Sequence, residues 1–435
     1  MSDLLAEAAN RRRHTLLVLY RSASDVAAKG AMLVVTIVAA RQLTRDDFGL
    51  FALASTLGWL GAVAADFGIQ AHLARAVSQH PESGQDLLRR WLPVRIATGL
   101  AALAIAWLAS LVLGVPARAA LPMLYFMLAY AAGGLTDSLY YFFRGLDRTD
   151  LESTLTLVQR GGMVVLAVGS LWWRPDVVLL GQAMLLPALI TLVMAAYAAW
   201  RLASGMESSA TLSWTTGPLG REFIHSVAPI GIGILLSALY FRIDVFLLER
   251  WSGTTAVALY NAVFRVVDAL RLFPAAVLAV ALPVLCRAGD LKPLARLAAP
   301  LTAAACGVAV VLWLTASWVV PAIYGAPYAD AVPPFRTLVL ALPLMALNYA
   351  LTQQVIGWHG QRAYAAVCAG ALGFNLLLNW QLIPALGMNG AAWSTLWTEV
   401  FMTVGCGVTL ARLVNAPMAL AVGARAAAAP LEDRV

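Results

Sequence analysis

The run VVLLGQAMLLPALITLVMAAYAAW, residues 177–200, contains no charged side chain. As a helix it extends about 36 Å at 1.5 Å per residue, enough to cross the ~30 Å hydrocarbon core of a bilayer. Eleven other stretches read the same way, at about 16–41, 48–71, 92–114, 119–142, 152–173, 221–248, 256–285, 295–321, 335–357, 363–384 and 389–412. Composition agrees, because 61% of the chain is hydrophobic and 12% charged, whereas soluble domains carry about 25% charged residues. The expectation is an all-α, polytopic membrane protein with twelve transmembrane helices.

Short loops rich in Lys and Arg stay in the cytoplasm. With the N-terminus inside, eighteen of the 30 Lys and Arg residues fall on cytoplasmic segments, among them Arg11, Arg12, Arg13, Arg75, Arg89, Arg90 and Arg95. The opposite side holds five: Arg41, Arg45, Arg118, Arg174 and Arg250. An even number of spans then puts both termini inside. The net charge of +7 follows from this topology and from anionic lipid at the inner surface, with no call for nucleic acid. The segment SGMESSATLSWTTGPLG, 204–220, is the longest interior connection and is rich in Ser, Thr and Gly. It divides the chain into six-helix halves, 1–203 and 221–415, and leaves 416–435 as a cytoplasmic tail. Span one ends in RQLTRDDFGLFALAS and span seven in LERWSGTTAVALYNAVFR, each a short polar turn leading into an aromatic-rich helix start. Repeated halves commonly enclose a transport site near the membrane midplane, so two pseudo-symmetric six-helix bundles around a central cavity are expected.

A charge at the bilayer centre costs about 2.5–3.5 kcal/mol on insertion scales. This chain puts thirteen inside its apolar stretches: Asp25, Asp66, Asp137, Asp244, Asp268 and Glu399 against Arg21, Lys29, Arg160, Arg242, Arg265, Arg271 and Arg336. In span one, Arg21, Asp25 and Lys29 are spaced four apart and fall within an arc of about 80°. In span eight, Arg265, Asp268 and Arg271 are spaced three apart and cover about 120°, again one side of the helix. Arg242 and Asp244 point about 160° apart, so at most one of them looks straight into a cavity. Asp137 and Arg160 lie at similar depth on consecutive helices and suit a structural ion pair. Lys29, Arg265, Arg271 and Arg242 are the candidate cavity cations. Asp25, Asp244, Asp268 and Glu399, with Asn375 and Asn379 one turn apart on span eleven, are the candidates for coupling or gating. For the two asparagines, interhelical hydrogen bonding is the plainer account.

The Arg triplet before residues 16–20 has the look of a signal peptide. The apolar run is broken by Arg21 and Asp25 and followed by no small-residue cleavage site, so it reads as the first helix. Cys286, Cys306, Cys368 and Cys406 are far apart in or beside apolar spans and read as small core side chains. His14, His72, His80, His225 and His359 do not pair at metal-ligand spacing. No metal site and no cofactor is expected. Breakers cluster in the second half, at Pro229, Gly231, Gly233, Pro274, Pro283, Pro343, Gly370 and Gly373, and suit a bundle that changes shape.

NLLLNWQLIPALGMNGAAWSTLWTEV, 375–400, resembles the helix-turn-helix of polysaccharide transporters in the multidrug/oligosaccharidyl-lipid/polysaccharide exporter superfamily. Their pattern runs N-x-x-x-N-x-x-L-I-P-x-x-G-x-x-G-A-A-x-x-T-x-x-x-E. VAPIGIGILLSALYFRIDVFLL with ALYNAVFRVVDALRLFP, and ARQLTRDDFGLFALA followed by ADFGIQAHLAR, carry the same resemblance through spans seven, eight, one and two. Twelve helices fit the polysaccharide branch better than the fourteen usual in lipid II flippases.

The resemblance implies a flippase, not an enzyme, that moves an undecaprenyl-pyrophosphate-linked oligosaccharide, such as an O-antigen or exopolysaccharide unit, across a bacterial inner membrane by alternating access. Its partners would be that lipid-linked substrate, membrane lipid, and the polysaccharide polymerase and chain-length machinery. No Walker A motif is present, so H+ or Na+ coupling is expected to supply the energy. A cation-coupled multidrug exporter would favour an acid-dominated cavity instead. An integral-membrane glycosyltransferase or O-antigen ligase would need catalytic acids or a large outer loop, and the outer loops here are short. Reporter fusions within 204–220 and at Val435 should both read as cytoplasmic; an external signal from either would overturn the topology.

Overall fold

The computed structural model describes residues 2–112, 117–206, 228–271, 273–274, 277–278, 290–358 and 360–415, and these are almost wholly helical. The first half contains α1 (Ser2–Gln42), α2 (Arg45–Asp66), the short α3 (Ile69–Gln79), α4 (Gly84–Val112), α5 (Ala117–Gly145), α6 (Thr149–Trp173) and α7 (Val177–Ser204). The second contains α8 (Ala228–Leu270), α9 (Lys292–Tyr324), α10 (Val332–Gly357), α11 (Gln361–Leu386) and α12 (Met388–Asn415). Most of the 204–220 connection, the 416–435 tail, Cys286 and part of the second half of span eight lie outside the described residues.

Local chemistry sets the helix ends. Thr44 caps α2, its hydroxyl accepting from the Asp47 amide at 3.1 Å, and Asp176 caps α7 through the amides of Val178 and Leu179 at 2.7 and 3.1 Å. Span two is shorter than its apolar run suggests. Phe67 and Gly68 both turn left-handed (φ 41° and 82°), and the chain restarts as α3 with Asp66 accepting from the amides of Gly68 and Gln70. Apolarity alone carries no signal of that bend.

Among the described residues eleven elements are long and apolar enough to cross a membrane. One of them, α8, holds two spans joined at Gly253 (φ 78°, ψ 173°). Its limbs, 228–252 and 254–270, lie alongside each other: Tyr260 hydrogen-bonds Asp244, and the rings of Phe241 and Phe264 stand 5.0 Å apart. A one-residue reversal of this kind needs backbone angles open essentially to glycine alone.

The packing order repeats between the halves. In the first, α1 packs on α6, α5 on α7, and α6 on α7; in the second, α8 packs on α11, α10 on α12, and α11 on α12. At the end of the bundle that carries Thr44 and Gly253, the turn end, a single apolar core draws on both halves, with Phe48, Phe51 and Phe126 beside Tyr260, Tyr324 and Phe335. Toward the opposite, terminal end the halves have separate cores, one around Trp91, Tyr140 and Phe143 and the other around Leu294, Val355 and Leu410. The apolar cores are thus shared at one end and separate at the other, where α2 and α8 still touch, Phe67 against Gly231.

Polar contacts reinforce the joined end. Thr255 donates to Asp46 at 2.8 Å, Arg41 donates to the Ile323 and Ala322 carbonyls at the close of α9, and Arg45 donates to the Pro327 carbonyl. A Cβ on Gly49 would lie 2.2 Å from the Thr254 carbonyl oxygen, so α2 and α8 meet there backbone to backbone. The outer face is apolar, and Trp172 and Trp173, 72% and 83% exposed at the turn end of α6, suit an interfacial aromatic belt. Cys306 sits on this outer surface, unlike Cys368 and Cys406, which are buried; its place on the lipid-facing side of α9 separates it from the core role expected of it.

Gly253→Ala should lower stability by about 1–3 kcal/mol through backbone strain. Gly307→Ala, within α9 and with open space around its Cβ position, should be neutral or slightly stabilising. Thermal unfolding of both variants in detergent checks this, and equal melting temperatures would contradict the strained reversal.

Candidate functional site

Where the halves divide, the interior opens into two connected lobes. The first, of about 480 Å³, is walled by Lys29 of α1, Trp59 and Val63 of α2, Ile234 and Phe241 of the first limb of α8, and Arg265, Asp268 and Arg271 of the second, with Tyr349 and Tyr364 closing it. The second, of about 340 Å³, lies in the first half, among Asp66, Gln70, Tyr130, Asp137, Gln159 and Arg160. Trp59, Val63 and Ile234 line both lobes.

The first lobe carries three cations and one carboxylate. Arg271 approaches Asp268 at 3.6 Å and spreads its guanidinium over the Phe241 ring, 4.2 Å from the centroid. Asp268 is therefore taken by Arg271. Arg265 keeps an enclosed Nε with no hydrogen-bond partner, and Lys29 faces it from the other half, exposed to the cavity. Among the described residues neither Lys29 nor Arg265 forms a salt bridge, and both line a cavity between helices, where an anion would find counter-charge. Arg also presents a planar fork that matches phosphate oxygens.

The polysaccharide biosynthesis protein family matches residues 18–288, more than half of the chain. The chain belongs to that family. No characterised protein matches its sequence significantly. Several solved structures share its fold. A multidrug resistance MATE family transporter of the MOP superfamily, in an inward-facing conformation, aligns at TM-score 0.69 and 16% identity over 88% of this chain and 94% of its own. The lipid II flippase MurJ in an inward closed conformation gives 0.69 and 10% over 90% and 87%. An outward-facing MATE conformation gives 0.61 and 15% over 91% and 95%. This member of the polysaccharide biosynthesis protein family thus shares the multi-pass, all-α fold of those solved structures.

The family member's other intramembrane charges are housed in different ways. Arg242, expected among the cavity cations, is 3% exposed; it stacks on Phe264, 4.5 Å from the ring centroid, and is absent from both cavity walls. Packing between the two limbs of α8 takes it out of the cavity. Asp244 is 1% exposed and accepts from Tyr260, which also contacts Thr395 of α12. Glu399 accepts from Asn348 at 2.7 Å. Asn375 donates to Thr398 at 2.9 Å and accepts from Asn379 at 2.7 Å, so both asparagines work inside the packing of α11 on α12. Arg336 covers Trp313 and donates to its carbonyl. Asp25 and Arg21 line neither lobe.

Asp137 and Arg160 face the second lobe within Coulombic range of each other, without closing into an ion pair. The cavity between α5 and α6 keeps them apart. Charge counting along the sequence assigns Arg95 to the cytoplasmic side. The structure buries it to 2% exposure, donating to Ser138 at 3.0 Å and to the Gly134 carbonyl at 3.2 Å, in Coulombic reach of Asp66 and Asp137. Its position inside the apolar run that begins at residue 92 was the available signal. The aromatic lining by Trp59, Tyr349 and Tyr364 and the amides of Gln70 and Gln159 had none, because uncharged side chains in an apolar helix do not announce which face meets a cavity.

Tyr260→Phe removes the hydroxyl that bonds Asp244 and leaves a buried carboxylate short of a donor, at a cost of about 1–3 kcal/mol. Thermal unfolding of the purified variant should show the loss; an unchanged melting temperature would mean that this bond contributes nothing.

Proposed function

We propose that the chain moves a polyprenyl-pyrophosphate-linked oligosaccharide from the inner to the outer leaflet of the bacterial inner membrane, for a surface polysaccharide such as an O-antigen or exopolysaccharide. The observation that carries the reading is the first lobe, where Lys29 of one half faces Arg265 and Arg271 of the other around a single carboxylate. A pyrophosphate brings negative charge and many acceptor oxygens, and those cations supply both counter-charge and donors. The polyprenyl tail is as apolar as the lipid around it and gains nothing by leaving it. A cationic multidrug substrate would meet repulsion in the same lobe.

The division between the halves lies on the side of the termini. With the Arg-rich connections in the cytoplasm, the joined turn end closes the outer side and the cavity faces inward, in position to receive a substrate made in the cytoplasm. Turnover then requires the joined end to part while the terminal end closes. An ion gradient is the proposed energy source, at about 2.3 kcal/mol per charge per 100 mV. Asp244 and Glu399, buried behind the cavity walls, are the carboxylates proposed to exchange H+ or hold Na+ during that cycle, with Asp25 and the lobe's own Asp268 as further candidates. The polymerase and chain-length machinery are the proposed downstream partners.

Lys29→Ala, Arg265→Ala and Arg271→Ala should each abolish surface polysaccharide while leaving the amount of protein in the membrane unchanged. Immunoblots of membranes alongside polysaccharide gels provide the check. Full export by all three variants would remove the anion assignment.

A further inference from the structure

The second lobe differs from the first in chemistry as well as place. Its charged groups are two carboxylates and one guanidinium, Asp66, Asp137 and Arg160, and its other polar side chains are Gln70, Gln159 and Tyr130. Arg160 and the nearby Arg95 offset Asp66 and Asp137, so the lobe offers an anion no surplus of positive charge such as Lys29 and Arg265 supply in the first. The lobe is nevertheless strongly polar and roomy. Its ~340 Å³ exceeds many times the ~30 Å³ share of one water, and it reaches the first lobe past the Trp59 indole.

Several of its donors and acceptors are uncommitted. Arg160 keeps an enclosed Nε without a hydrogen-bond partner. Asp137 is exposed to the cavity and forms no hydrogen bond among the described residues, and Gln159 is half-buried on the same wall. Asp66 is different: it is engaged with the amides that start α3, so it shapes the lobe and leaves Asp137, Gln159 and Arg160 to meet a ligand. A carboxylate that only accepts, a guanidinium that only donates and an amide that does both match the paired donor and acceptor character of vicinal hydroxyls. Trp59, at the border of the lobes, offers an apolar face.

We propose that this lobe is a glycan subsite for uncharged sugars, with Asp137, Gln159 and Arg160 bonding hydroxyls and Trp59 packing against the sugar nearest the pyrophosphate. The inference rests on the proposed function and adds to it. It divides the substrate between the halves, pyrophosphate at the cationic lobe and sugars in the first half, and it favours uncharged sugars, since the lobe holds no surplus cation to meet a sugar carboxylate.

Binding to purified full-length protein in nanodiscs, measured by calorimetry with two probes and with farnesol as the control that lacks pyrophosphate, tests this. One probe is farnesyl pyrophosphate, which has no sugar; the other is the lipid-linked oligosaccharide pool extracted from the cells that make the protein. The unaltered protein should bind the second more tightly. Gln159→Ala and Asp137→Asn should each erase roughly tenfold of that advantage and hold farnesyl pyrophosphate within twofold, while Lys29→Ala weakens both probes. Asp137→Asn keeps the side-chain shape, so a poor yield of the alanine variant leaves the test intact. An undiminished advantage in both variants overturns the glycan subsite and leaves the pyrophosphate site standing. Farnesyl pyrophosphate binding no better than farnesol in the unaltered protein overturns the pyrophosphate site, and the subsite with it.

Discussion

Hydrocarbon offers no hydrogen bonds, so each polar group carried into it has to find a partner in the protein or reach water in a cavity. That requirement sorts the charges of this chain. Arg242 lies on aromatic faces, Asp244 and Glu399 accept from Tyr260 and Asn348, Asp66 starts a helix, and Arg336 covers an indole. Lys29, Arg265, Asp137 and Arg160 have no such arrangement and front the two lobes. The cavity is therefore a condition for placing these residues inside the bundle.

The same solvent changes what holds the helices together. Lipid tails are as apolar as leucine, so burying Phe48 or Phe335 between helices gains little from exclusion of water, and close contact and polar bonds decide the packing. The joined end shows both. Gly49 lets the backbone of α2 touch that of α8, and Asp46–Thr255 with the Arg41 and Arg45 bonds to carbonyls tie the two halves across the seam. Gly231 plays the corresponding part toward the other end, where a Cβ would come within 2.6 Å of the Phe67 carbonyl oxygen. The α2–α8 seam is thus held at both ends, with Trp59, Val63 and Ile234 between them, where the lobes meet.

Much of this was legible in the sequence because a bilayer imposes a length and a polarity that soluble surroundings do not. The apolar runs mark the spans, and the spacing of Arg265, Asp268 and Arg271 places them on one side of a helix. What stayed hidden depends on contacts between distant segments. Arg242 and Arg265 are both arginines in apolar helices, and only the packing of one limb of α8 on the other separates the buried one from the one that faces the cavity. Arg95 lies near the start of a span, where charge counting assigns it to the cytoplasmic side, and only its contacts with Gly134 and Ser138 on another helix place it inside the bundle. The bend after Asp66 rests on two left-handed residues, which hydropathy does not register.

Gly253 gives the second half a lever. At about 1.5 Å per residue, Arg271 lies some 27 Å along the limb from that glycine, so a swing of ten degrees about the reversal sweeps its guanidinium through roughly 5 Å, well beyond hydrogen-bonding range. The spacing between Lys29 and the cations opposite is consequently set from the far end of the bundle. A small angular change at the joined end is thereby magnified into a displacement of Arg271 large enough to reset its distance from Lys29 at the other end of the arm.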